Sequence, residues 1–175
     1  MEDLDTRVLR TACAWRAAGE PVVLVTVART WGASPRPPGS LMAINGRGET
    51  VGSVSGGCIE DDLIERIRAG GIKAACAAHK PAVQRYGISA DEAHRFGLPC
   101  GGTMELVLEP VSEHSRLEEL LAACEQRRSV ERTLELTTGQ VRLADGRRDG
   151  VPTLDAQRLT TCFGPRFRII VIGAG

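Results

Sequence analysis

The run Val22-Val23-Leu24-Val25-Thr26-Val27-Ala28 constrains this chain more than any other segment. Valine dominates it and no charge interrupts it, so residues 22–30 read as a buried strand. The run is far shorter than the roughly 20 residues of a membrane span, and no other apolar stretch approaches that length. The acidic start, Met1-Glu2-Asp3-Leu4-Asp5, lacks the basic and then apolar pattern of an export signal. The expectation is a cytoplasmic protein with no integral membrane segment. The 175 residues suggest one full domain with a little left over. Hydrophobic residues at 42% and charged residues at 25% argue against a wholly disordered chain. Lys plus Arg and Asp plus Glu both number 22, and aromatics are 3%. There is no net field and no stacking surface for nucleic acid, so no nucleic-acid partner is expected.

Around that strand the periodicity is easy to follow. Leu4, Val8, Leu9, Ala12 and Trp15 fall at helical spacing, with Asp3 or Asp5 as cap and Gly19 and Pro21 as stop. Trp31 to Ser40 is a loop stiffened by Pro35, Pro37 and Pro38. Residues 41–44 and 50–54 read as a hairpin around Asn45-Gly46-Arg47-Gly48. Ile59 to Ile67 is an amphipathic helix, apolar along Ile59, Leu63, Ile64 and Ile67 and stopped by Gly70-Gly71. Residues 82–88 read as a strand, and Ser89 caps a short helix. Thr103 to Val111 is a further strand. Residues 115–127 form a helix with Leu117, Leu120, Leu121 and Cys124 inward, and 130–137 with 140–144 a second hairpin.

The polar stretch that follows, with Gly146, Gly150 and Pro152, reads as a linker. Phe167 to Ile172 then forms an apolar strand ending in Gly173-Ala174-Gly175. A strand running into G-x-G opens a dinucleotide-binding unit, but the third glycine, the helix and the distal acid do not follow. An accidental terminal strand is the alternative. The expected class is α+β: a mixed sheet with flanking helices over 1–144, a linker over 145–166, and the first strand of an incomplete Rossmann domain over 167–175. NAD(P) is not expected to bind these residues.

Chemistry concentrates in two glycine-rich loops. In Gly52-Ser53-Val54-Ser55-Gly56-Gly57-Cys58-Ile59-Glu60, paired glycines let a ligand approach the backbone, and the helix start supplies free N–H groups. A thiol there is activated by the helix dipole, while Glu60, Asp61 and Asp62 oppose that effect. A tight turn with Cys58 packed beneath it explains the same residues. Gly97-Leu98-Pro99-Cys100-Gly101-Gly102 again sets a cysteine beside paired glycines. Two such thiols could converge on one soft metal or on a sulfur-transfer step. Alternatively, Cys100 is a small buried hydrophobe in a turn. Cys13, Cys76, Cys124 and Cys162 read as structural, and no C-x-x-C spacing points to a zinc ribbon. His79, His94 and His114 form no metal-binding pair. Arg36, held between prolines, has the planar fork that grips phosphate, or is simply an exposed loop arginine.

Two blocks carry a resemblance. Arg29-Thr30-Trp31-Gly32-Ala33-Ser34-Pro35-Arg36-Pro37-Pro38-Gly39-Ser40, and then Gly52 to Glu60, resemble the XdhC/CoxI family of accessory proteins for xanthine dehydrogenase, carbon monoxide dehydrogenase and related molybdenum hydroxylases. Gly97 to Gly102 is similar to a further segment of that family, and Ile170 to Gly175 to the opening of its Rossmann domain. The resemblance implies a maturation factor more than a catalyst. Such a protein binds molybdenum cofactor (molybdopterin) transiently, assists its sulfuration and inserts it into a hydroxylase apoenzyme. It implies Cys58 and Cys100 as candidate molybdenum ligands, with Arg36, Ser55, Gly56, Gly57, Glu60, Gly101 and Gly102 as the cofactor-binding surround. A cysteine desulfurase-type sulfur donor and a second copy of the chain are the other expected partners. Two alternatives remain: an NAD(P)-dependent thiol oxidoreductase, given a complete Rossmann unit, and a docking module without cofactor affinity.

Overall fold

The computed structural model describes residues 3–32, 34–76, 80–87, 102–146, 150–165 and 173. The buried valine run is the middle of a five-stranded sheet. Its strand, β1 (Val22–Trp31), pairs on one side with β2 (Leu41–Asn45) and through it with β3 (Thr50–Gly52). On the other side it pairs with β5 (Thr103–Pro110), which pairs with β4 (Ala82–Tyr86). A second, four-stranded sheet has the order β7 (Val141–Asp145), β6 (Val130–Glu135), β9 (Arg158–Phe163), β8 (Thr153–Leu154). The α+β class expected from sequence is what forms. In place of one mixed sheet there are two, and every strand pairing described in them is antiparallel.

The alternation of β1 explains the layers. Val23, Val25 and Val27 point to one face, where α2 (Cys58–Gly70) and α3 (Ile72–Ala75) cover them with Ile59, Leu63, Ile67 and Ile72. Val22 and Leu24 point to the other, under α1 (Leu4–Ala17) and α4 (Leu117–Glu125), against Val8, Leu9, Leu117 and Leu120. A register shift between Val27 and Arg29 then turns Ala28 into the second sheet's core, with Val107, Leu134 and Leu159. Asp3 stands at the N-cap of α1 as expected, but its side chain makes no cap hydrogen bond. The hairpin turn is fastened by buried Asn45. Its Oδ1 accepts from the backbone N–H of Arg47 and Glu49, and its Nδ2 donates to Glu20 and Glu49.

The stretch read as a linker, 145–166, is largely structural. β8 and β9 lie within it, and β9 pairs along the whole of β6, from Val130↔Phe163 to Glu135↔Arg158. Leu159 and Phe163 are buried, and Thr160 meets Thr133 across the strands at 3.3 Å. The polar composition that suggested a linker belongs to strands exposed on one side. The apolar strand expected over 167–172 lies outside the described residues.

One buried ion pair ties the two sheets together. Arg132 of β6 donates to Glu109 of β5 at 2.6 Å and to the carbonyl of Ser115 at 3.0 Å, with both side chains about 2–3% exposed. Arg132 Nε has no partner among the described residues, so the pair is incompletely compensated. Removing one partner strands the other charge in the interior. Glu109→Ala is therefore expected to cost about 3–5 kcal/mol in urea unfolding, and the double change Glu109→Leu with Arg132→Met to recover most of that loss. A double variant as unstable as the single one would contradict this account.

Candidate functional site

Strand register brings the glycine-rich segments to one end of the five-stranded sheet. β1 ends there at Trp31, opposite Thr103 at the start of β5. β2 begins there at Leu41, and β3 ends there at Gly52, opposite Met42. β4 also ends there, with Tyr86 opposite Met104. The loop carrying Arg36, the turn leading to Cys58, and both ends of the 87–102 connection thus share one rim. A Cβ on Gly32 would lie 3.2 Å from the Cα of Gly102, so the arginine loop and the second glycine loop meet at bare backbone. Thr103 Oγ1 donates to the carbonyl of Gly87 at 3.0 Å and pins the two ends of that connection to each other.

The turn from β3 into α2 begins at Gly52, whose φ is +85°. A Cβ there would come within 2.3 Å of the Leu41 carbonyl oxygen, so only glycine fits. The next residues wrap around the carboxylate of Glu60, at the third position of α2. Oε1 accepts from Ser53 Oγ at 2.8 Å and from the backbone N–H of Val54, Ser55 and Gly56 at 2.9, 2.8 and 3.0 Å. Oε2 accepts from the N–H of Gly57 at 3.0 Å and from Ser55 Oγ. The Gly57 contact is the backward half of a capping box, and the loop extends it to the three residues before. Burial alone would raise the Glu60 pKa. The donors from Ser55, Gly56 and Ser53 outweigh it and hold the carboxyl at about 2, a charge kept inside the protein by hydrogen bonds.

The three acids after Cys58 therefore do different work. Glu60 is buried in the turn. Asp61 is exposed. Asp62 accepts from buried Tyr86 Oη at 2.9 Å and lies 3.7 Å from Arg66, which donates to Gln84 at 2.7 Å. Burial and the Asp62 carboxylate push the Tyr86 phenol up, so it stays a donor. This network joins the first turns of α2 to the end of β4. Its two halves, Asp62 with Arg66 on α2 and Gln84 with Tyr86 on β4, are joined by bonds spanning 18 and 24 residues, which no local pattern announces.

The backbone of Cys58 opens α2, with Ser55 buried and Gly56 and Gly57 immediately before it. Gly102 is buried at the rim, while Cys100 and Gly101 lie outside the described residues. Arg36 is half-buried, and no carboxylate among the described residues pairs with it. The N–H groups of Val54 to Gly57, which precede the helix, are donated to Glu60. No group of three His, Cys, Asp or Glu side chains able to hold a metal occurs among the described residues. No helix of the described residues is long and apolar enough to cross a membrane.

Three other cysteines have thiols built to stay protonated. Burial pushes Cys76 up to about 12, and its Sγ lies 3.6 Å from the Leu108 carbonyl. Burial, with Glu118, raises Cys13 to about 11; burial, with Asp3 and Asp5, does the same for Cys124. Their reactivity is accordingly low.

These protonation states can be checked in two ways. Glu60 has a folded pKa below its ordinary value of 4.5, so its contribution to stability is complete above that value and drains as pH falls toward about 2. Glu60→Gln should remove that stretch of the stability curve, a difference on the order of 3 kcal/mol at neutral pH. Parallel curves for the two proteins from pH 2 to 6 would refute the assignment. Cys13, Cys76 and Cys124 should resist iodoacetamide in the native chain and react once it is unfolded in urea, as read by peptide mass spectrometry. Equal native and unfolded rates at Cys76 would show the core to be open.

Comparison with known proteins places this geometry. Residues 15–87, from the end of α1 through β4, match the XdhC and CoxI family. The chain is 31% identical over 132 residues to the molybdenum cofactor insertion chaperone PaoD of Escherichia coli, covering 70% of this chain and 37% of that protein. It is 38% identical over 50 residues to a probable xanthine dehydrogenase subunit from Bacillus subtilis, covering 29% of this chain and 15% of that one. A crystal structure described as a xanthine dehydrogenase from Bacillus halodurans shares the fold, with a TM-score of 0.66 at 23% identity over 93% of this chain and 53% of the other. The chain thus spans about a third of the length of PaoD and about half of that solved chain. The arginine loop, the Glu60 turn and the helix that Cys58 opens all lie inside residues 15–87, the span over which this chain matches the XdhC and CoxI family.

Proposed function

We propose that this chain is the cargo-binding part of a cytoplasmic molybdenum cofactor insertion chaperone serving a xanthine dehydrogenase-type hydroxylase. The observation that carries the reading is the Glu60-held turn. It delivers the start of α2, and with it Cys58, to the sheet end shared by Arg36 and Gly102. The family match over residues 15–87 and the name of the Escherichia coli relative suggest the cargo. Soft thiolate sulfur is a suitable ligand for molybdenum, and a guanidinium suits the cofactor's phosphate. In this reading Cys58 and Cys100 hold the metal end, Arg36 holds the phosphate end, and the glycines at 56, 57, 101 and 102 let the pterin approach the backbone. Ser55 and Glu60 keep the turn in shape. The chaperone shelters the cofactor while a cysteine desulfurase-type donor supplies sulfur, works as a homodimer, and passes the cofactor to the apoenzyme. It performs no turnover of its own.

The test is an anaerobic titration of the purified chain with molybdenum cofactor, beside Cys58→Ala and Cys100→Ala. Wild type should bind at micromolar affinity or better, about −8 kcal/mol, and each alanine should weaken binding about tenfold or more. Absence of binding by the folded wild-type chain would leave a docking module. Normal client maturation by the double variant would remove the thiols from the mechanism. Tight NAD binding would instead favour an oxidoreductase.

A further inference from the structure

The carboxylate of Glu60 accepts six hydrogen bonds, four from the consecutive N–H groups of Val54, Ser55, Gly56 and Gly57 and two from the hydroxyls of Ser53 and Ser55. Successive backbone N–H groups turned inward before a helix form the kind of concavity that binds phosphate in other proteins. Here the anion is the chain's own side chain. With four donors on one oxygen and two on the other, the carboxylate has no acceptor capacity to offer a ligand.

We propose that Glu60 is a positioning residue that acts as a built-in anion: it fills the cradle of residues 54–57, closes it to the cargo's phosphate, and fixes the turn that presents Cys58. The proposal rests on the chaperone reading for the identity of the cargo. Its geometry is independent of that reading. Glu60 is buried and its partners are local, so the cradle is closed by the chain itself. A phosphate brought to this turn would meet a negative charge in place of free N–H groups, and like charges at short range repel. That leaves a cation on the same rim as the better place for the phosphate. Arg36 is half-buried there, and no carboxylate among the described residues pairs with it.

Two kinds of measurement test this on the whole chain. In amide NMR of the 15N-labelled protein, the Val54 to Gly57 resonances of wild type should not move when inorganic phosphate or acetate is added. In Glu60→Ala the cradle is emptied, and the same amides should shift saturably with acetate. In the cofactor titration, Glu60→Ala should bind about tenfold more weakly, and millimolar acetate should restore most of that loss by standing in for the carboxylate. Glu60→Gln keeps the side chain's volume but turns one acceptor into a donor facing Ser55 Oγ and the Gly57 N–H. It should bind weakly with no acetate rescue, and it serves if the alanine variant does not fold. Movement of the wild-type amides with phosphate, or wild-type cofactor affinity in both variants, overturns the proposal. If wild type binds no cofactor, the chaperone reading fails, and the acetate response of the amides still decides the role of Glu60.

Discussion

β1 carries apolar side chains on both faces, and neither face can be left to water. Val23, Val25 and Val27 need one layer; Val22, Leu24 and Ala28 need another. Each of these valines and Leu24 contributes roughly 1.5–3 kcal/mol when fully buried. That demand sets the order of layers: α2 on one side, α1, α4 and the second sheet on the other. It also fixes where the site lies. A helix that packs on one face of β1 has to enter from a sheet end, and the path from β3 into α2 is the turn that holds Cys58. The position of the candidate site is thus a consequence of covering the central strand.

Buried charge is admitted where the layers need direction as well as cover. Arg132 and Glu109 meet between the two sheets. Glu105 sits 2% exposed between Arg85, at 2.5 Å, and Arg29, at 3.4 Å, each opposite it on a neighbouring strand. Arg29 also donates to the carbonyl of Leu154 in β8. Both clusters join elements that are far apart in sequence, and both specify how the second sheet meets the first. Glu60 differs because all its partners lie within seven residues. It orders one turn and leaves the global arrangement to the apolar layers.

The strength of local patterns decided what could be read in advance. β1, the Asn45 hairpin and α2 announce themselves because valine content, turn chemistry and helical periodicity each act within a few residues. β8 and β9 do not. Arg158-Leu159-Thr160-Thr161-Cys162-Phe163 alternates as a strand should, but its stability comes from β6, whose paired residues run from Glu135↔Arg158 to Val130↔Phe163, and the preceding Gly150 and Pro152 read as loop. At the site, the place of Cys58 at a helix start was legible, as was an acid three residues after Gly57. That the same acid would also gather Ser53, Val54, Ser55 and Gly56 was not. This needs the bend at Gly52, and the bend exists because β3 is registered against β2. The Tyr86 to Asp62 bond depends likewise on β4 pairing with β5, a long-range event with no local signal.

A glycine-rich strand-to-helix turn is easily taken for a phosphate loop, because the same backbone geometry serves both. The distinguishing feature is the residue at the third helical position. Where no acid follows, the inward N–H groups are free for a ligand. Where a glutamate reaches back, they are spent, and the turn becomes rigid and locally anionic. Such a turn repels a free phosphate, while a neutral thiol or a soft metal centre suffers no comparable penalty. Glu60 thereby separates two jobs that a single loop could have confused. On the chaperone reading proposed above, the turn aims the helix start, and recognition of the cargo's charge falls to the arginine loop on the same rim. On the same reading, a carrier that releases its ligand benefits from that division, because its rigid part makes no strong ionic contact that insertion would have to break.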